Sequence, residues 1–325
     1  MKKIILLVTA IIVFLGTIPM LAQNKLEIVR KGGPSVKISL NAYSFTKPLL
    51  DKAKGRGGQG MSVIEFMDWA AEHGFDAVDL TAYFFPGYPA VPSDEYINNL
   101  KRHAFELGLD ISGTGVRNDF ANPDPVKRAA DVKHVKEYID VAVKLGAPVI
   151  RVFSGPIPEG YENRRDEIYK YMAASLKECA DYGKLRGVLV GVQNHGDFLK
   201  TADETIKLVK MVDSDWLGVI VDTGYFLTDD PYVDIEKVMP YAVNFQLKES
   251  VFGAASPVKT DMKSIMDIIK RTGYRGYMPI ETLSPVGGNK NKKADGAAKS
   301  SYDPYTVVPA FMKKVKEAQK AAFEI

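Results

Sequence analysis

Four polar side chains end short apolar runs in the second half of this 325-residue chain: Gln193 in Val188–Gln193, Asp222 in Gly218–Asp222, Gln246 in Ala242–Leu247 and Glu281 in Tyr277–Glu281. If each run is a buried parallel strand, the four groups meet at the strands' carboxyl ends, the rim where an α/β barrel keeps its chemistry. Oxygen donors converging from a rigid rim suit a hard divalent cation. A polar residue at one strand end is unremarkable, so the weight lies in four matching positions. His195 stands two residues past Gln193 and Lys248 two past Gln246, which puts each pair on one side of an extended chain. An imidazole there can ligate metal, bind a hydroxyl or move a proton. A lysine in a barrel mouth can stabilise an enolate or alkoxide, or serve as an acid.

Earlier runs contribute Asn41, Tyr43, Thr81, Tyr83, Thr114, Arg117, Asn118 and Arg151, and Glu249 follows Lys248. Of these, Tyr43, Tyr83, Asn118, Arg151 and Glu249 are the candidate substrate contacts. A buried guanidinium needs a partner, so Arg151, inside the apolar Val149–Phe153, is expected to point inward toward a carboxylate or a ligand. The aromatic stretch Phe84–Tyr88 is expected to be exposed and suited to stacking on a ring, although such aromatics can equally cover a barrel end. The remaining histidines, His73, His103 and His134, fall in helical patterns and read as surface or packing residues.

The elements that must position these groups follow a repeating order of helix, glycine, apolar run and loop. Periodicity near 3.6 residues predicts helices over Met61–His73, Asp94–Leu107, Pro125–Leu145, Glu162–Leu185, Ala202–Val212, Ile235–Met239, Asp261–Arg271 and Tyr305–Ala322. Ser62 with Glu65 and Thr201 with Glu204 have capping-box spacing. Gly74, Gly108, Gly146, Gly187 and Gly273 suit the left-handed position past a helix end. Val36–Ala42, Ala77–Leu80, Leu109–Gly113 and Pro148–Phe153 complete a set of eight strands. Near-continuous apolar runs fit parallel strands buried on both faces, and βα units in this number favour a single-domain (β/α)8 TIM barrel over 37–325. No G-x-G-x-x-G or Walker A motif is present, so no nucleotide cofactor is expected.

Two lysines, an apolar stretch from Ile4 to Phe14 and Ala22 before Gln23 read as a cleaved signal peptide over 1–22, followed by an extended leader over 23–36. The apolar stretch is short for a membrane span of ~20 residues. Export to the periplasm, without stable membrane insertion after cleavage, is the expectation. Removing Lys2 and Lys3 lowers the net charge from +3 to +1 (3 − 2), which leaves no electrostatic footprint for nucleic acid. The lone Cys179 cannot form an intrachain disulfide and reads as a small core residue. The lysines between 290 and 299 read as a solvated loop.

The chain resembles the xylose-isomerase-like TIM-barrel superfamily of sugar (phosphate) isomerases and epimerases, with its metal-dependent endonuclease relatives, over roughly residues 37–323. The resemblance rests on Gly-Val-Gln193-Asn-His195-Gly-Asp, Val-Asp222-Thr-Gly, Asn-Phe-Gln246-Leu-Lys248-Glu249 and Gly-Tyr-Met-Pro-Ile-Glu281. Members commonly hold one divalent metal with Glu, Asp, His and Glu from strands five to eight. Asp222 and Glu281 match that pattern, whereas Gln193 stands for Glu and Gln246 for His. An amide oxygen can ligate a metal but adds no charge and cannot be a base. The resemblance therefore implies a divalent ion (Mn2+, Mg2+ or Zn2+) held more weakly by Gln193, Asp222, Gln246 and Glu281. It implies one-base enolisation, with Glu281 or His195 taking a proton beside a carbonyl and the metal or Lys248 stabilising the enediolate. The expected function is an exported isomerase or epimerase of a non-phosphorylated sugar or keto-sugar. A keto-sugar lyase or hydratase and a non-catalytic carbohydrate-binding barrel are the alternatives, and the chain as a homo-oligomer stays open. An endonuclease fits least, because those relatives need a histidine-rich metal cluster.

Overall fold

The computed structural model describes residues 26–56, 60–253, 256–283 and 302–323. The expected signal peptide over 1–22 and the loop over 288–301 lie outside the described residues. Eight strands run β1 (Ser35–Asn41), β2 (Ala77–Thr81), β3 (Asp110–Gly115), β4 (Val149–Phe153), β5 (Leu189–Gln193), β6 (Leu217–Asp222), β7 (Ala242–Lys248) and β8 (Arg275–Glu281). Each pairs in parallel with its successor, and β8 closes on β1 with Leu40 opposite Ile280, giving a closed barrel. Nine α-helices stand among the described residues: α1 (Thr46–Ala53), α2 (Val63–Glu72), α3 (Asp94–Glu106), α4 (Pro125–Leu145), α5 (Arg165–Arg186), α6 (Ala202–Val212), α7 (Pro231–Val238), α8 (Met262–Thr272) and α9 (Pro304–Phe323).

Local sequence accounts for most of these boundaries. Both capping boxes form, with the Ser62 hydroxyl accepting from Glu65 N and the Glu65 carboxylate accepting from Ser62 N, and likewise for Thr201 and Glu204. The five helix-ending glycines take φ between 64° and 80°, where a Cβ would be strained. Two expectations shift. α7 begins at Pro231, four residues before the predicted start, because Asp230 caps it by accepting from Tyr232 N and proline needs no donor at N1. α1 was not predicted: Pro48 and the charged Lys47, Asp51 and Lys52 hide its apolar stripe.

Strand register decides which side chains enter the barrel. Lys248 pairs with Glu281, Asp222 with Gln246, Gln193 with Phe153, Arg151 with Gly115 and Asp79 with Gly113, so these positions share the inner face. The outer face meets the helices through Val, Ile and Leu that are almost wholly buried, including Val78, Leu80, Ile150, Val152, Val190, Val192, Val219 and Val221. At the floor, the segment leading into β1 is strapped across the strand starts. Arg30 donates from Nη1 to Met239 O (3.1 Å) and from Nη2 to Ala242 O (2.6 Å), while its guanidinium lies 5.1 Å from the Tyr274 ring centre.

Candidate active site

The four candidate strand-end groups do converge, and Lys248 stands among them. Gln193, Asp222, Gln246, Lys248 and Glu281 are each at most 5% exposed. Lys248 Nζ donates to Glu281 Oε1 and lies 3.4 Å from Asp222 Oδ2. Gln193 Nε2 donates to Asp222 Oδ2 at 2.5 Å, and Gln246 Nε2 donates to Glu281 Oε2. An amide facing a carboxylate must present its nitrogen, since two acceptors would repel. The two glutamines therefore serve here as donors.

Electrostatics follow from that packing. Burial opposes the Lys248 ammonium, but Asp222 and Glu281 outweigh it and hold its pKa above the ordinary lysine value. Burial, reinforced by Asp222 and only partly offset by Lys248, raises the Glu281 carboxyl above the usual range. The shifts agree in sense: Lys248 keeps its proton, and Glu281 accepts one more readily than a solvated glutamate. Such a carboxylate is better matched to proton abstraction near neutral pH.

The remaining candidates separate. His195 hydrogen-bonds none of the strand-end groups, although it lies near enough to Glu281 to pull that carboxyl's pKa down. Its Nδ1 lies 3.1 Å from Asp197 Oδ2, and its ring packs between Phe153 (4.8 Å) and Tyr225 (4.4 Å) at the rim. Arg151 points inward, 7% exposed, with its guanidinium 4.4 Å from the Phe153 ring centre. Its Nη2 donates to Tyr83 Oη at 3.0 Å, and Tyr83 Oη donates in turn to Val116 O. Arg151 Nη1 is the one buried side-chain nitrogen or oxygen without a hydrogen-bond partner among the described residues. Asn118 is taken up by the backbone, accepting from Phe153 N and donating to Phe153 O, both at 2.8 Å. Tyr43 is exposed at the mouth, close enough to Glu281 for that carboxylate to help raise its pKa, after burial. Glu249 shares a cleft with Tyr225, Lys248 and Glu281 but turns toward Lys259, 4.0 Å away. The aromatic stretch expected to be exposed is so only in part: Pro86 and Gly87 are exposed and Tyr88 is half-buried, accepting a bond from Arg117 N, whereas Phe84 and Phe85 are at most 3% exposed. It covers the barrel.

Three residues escaped the sequence reading. Asp79 on β2 faces inward and is 6% exposed, and burial pushes its pKa up to about 6 although Arg151 pulls it down. A carboxylate in the middle of an otherwise uncharged strand was its only signal. Asn194 exchanges hydrogen bonds with the backbone of Asp222 (2.8 and 2.9 Å) and so fixes that residue's position. Tyr225, whose phenol burial pushes up to about 12, covers Lys248 with its ring centre 5.4 Å from Nζ.

A divalent ion would have to share Asp222 and Glu281 with donors already in place. Lys248 occupies the place between Asp222 and Glu281, and the Gln193 and Gln246 amides aim N–H groups at the same carboxylates. The donor set does not fit Mn2+, Mg2+ or Zn2+.

A closed parallel barrel with its polar cluster at the strands' carboxyl ends is the architecture of TIM-barrel enzymes. The chain belongs to the xylose isomerase-like TIM barrel family, whose model matches residues 67–302. Solved structures share the fold. An L-ribulose 3-epimerase superposes with TM-score 0.67 at 17% identity, covering 88% of this chain and 97% of its own. A D-psicose 3-epimerase in the presence of D-fructose gives 0.66 at 17%, with 88% and 98% covered. A 3-keto-D-glucoside 4-epimerase from E. coli gives 0.64 at 12%, with 87% and 100% covered. No curated protein sequence matches.

Proposed function

We propose that this protein is an isomerase or epimerase of a non-phosphorylated sugar or keto-sugar, acting by proton abstraction beside a carbonyl. The observation that carries the reading is the buried Glu281 carboxylate held against the Lys248 ammonium at the rim. Glu281 takes the proton, and Lys248 and the unspent Arg151 Nη1–H supply positive charge and a donor where oxyanion character develops. The family and the epimerases that share the fold support a sugar substrate. Export rests on residues 1–22; among the described residues no helix is long and apolar enough to cross a membrane.

A lyase acting on a keto-sugar is the second reading, favoured by one observation. Gln193 stands on the strand where a second base would face Glu281, and an amide cannot be one. The test is proton NMR in D2O with D-fructose, D-psicose, D-tagatose, L-ribulose and a 3-keto-glucoside. Loss of a signal beside the carbonyl, with a new sugar formed, supports isomerisation; an unsaturated product absorbing in the ultraviolet supports the lyase. A protein that binds these sugars but exchanges no proton is a binding barrel.

A further inference from the structure

We propose that Lys248 is the resident cation of this site and that its ammonium keeps a divalent ion out of the place between Asp222 and Glu281. The first argument is an account of oxygens. Asp222 Oδ1 accepts from Gly224 N (2.9 Å), and Oδ2 accepts from Gln193 while facing Nζ. Glu281 Oε1 accepts from Lys248, and Oε2 accepts from Gln246. Every carboxylate oxygen already accepts from a donor of the chain, and the ammonium stands where an ion shared by Asp222 and Glu281 would sit, so a metal bridging the two must displace Nζ.

The second argument is that the lysine is built in. Its backbone N–H donates to Thr223 Oγ1 (2.9 Å), and its carbonyl accepts from Thr260 Oγ1 (2.8 Å). The stem lies along Gly224, where a Cβ would stand 2.8 Å from Lys248 Cγ. The Tyr225 ring covers the ammonium. The third argument is charge. Two carboxylates against one ammonium leave −1 (−2 + 1); adding a dication would make it +1, with two cations competing for the same oxygens in a buried site.

The inference deepens the proposed function by making the charge at the rim a side chain's, but its test measures binding and not turnover. Full-length protein is stripped with chelator, desalted and titrated with Mn2+, free ion being followed by electron paramagnetic resonance. Wild type is expected to leave all added Mn2+ free up to roughly 1 mM, whereas Lys248→Met combined with Gln193→Glu binds one ion per chain at least about tenfold more tightly. Because this variant buries carboxylates without their cation, a Tm that rises with Mn2+ also counts as binding. One Mn2+ retained per wild-type chain through gel filtration overturns the inference. So does a variant that neither binds Mn2+ nor is stabilised by it. Sugar exchange by wild type, present or absent, decides the proposed function separately.

Discussion

Lys248 Nζ bonds Glu281 and sits 3.4 Å from Asp222 Oδ2, so one ammonium serves two carboxylates that come from different strands. Lys248→Met leaves both acids buried without that charge. The expected cost is about 3–5 kcal/mol in denaturant unfolding at pH 7. Adding Glu281→Gln to the variant should recover part of the loss, since one unpaired charge disappears. Equal stability of wild type and Lys248→Met would show that the pair contributes nothing.

Glu281→Gln keeps shape and volume but removes the proposed base. Proton exchange into sugar is expected to fall about a hundred- to ten-thousand-fold, while affinity measured by calorimetry stays within a few-fold. The raised Glu281 pKa sets a sign for pH: the active carboxylate is lost as pH falls through a value above the ordinary glutamate range. The acid limb of the rate profile should therefore lie above 4.5. A limb at or below that value contradicts the assignment.

Asp79 predicts the pH dependence of stability. Its carboxyl moves from 3.8 unfolded to about 6 folded, so between those values the folded chain binds the proton more tightly. Keeping Asp79 ionised thus costs stability that grows as pH rises from 4 to 6, to roughly 3 kcal/mol above it. Asp79→Asn should stabilise by up to about that amount at pH 8 and by nothing near pH 3. Urea unfolding at the two values measures it, and a gain independent of pH would contradict the account.

Gly115 faces Arg151 so closely that a Cβ there would lie 2.6 Å from Nε and Nη2. Gly115→Ala is expected to cost about 1–3 kcal/mol by overpacking, and the cost should largely vanish in an Arg151→Ala background. A double-mutant cycle by thermal unfolding tests this coupling. Additive effects would mean that the guanidinium moves aside freely.

The barrel and its rim were legible in the sequence because a parallel strand buried on both faces reads as an apolar run, and a polar residue ending it marks the rim. Which atom each glutamine presents was not, since an amide offers donor and acceptor alike and only the facing carboxylate decides. For Asn118 and Tyr83, candidate ligand contacts in the sequence, the bonds their polar atoms make to the backbone of Phe153 and Val116 were not legible. Asp79 was passed over because its neighbours define a strand core, and inward and outward positions look alike in a strand with all five residues buried.

The Arg30 strap settles how the molecule can be held. Its bonds to Met239 and Ala242 bring residue 30 to the opposite end of the barrel from Glu281. A surface, tag or fusion partner joined upstream thus begins its path on the side away from the mouth. Coupling through the amino-terminal side should leave the mouth unobstructed.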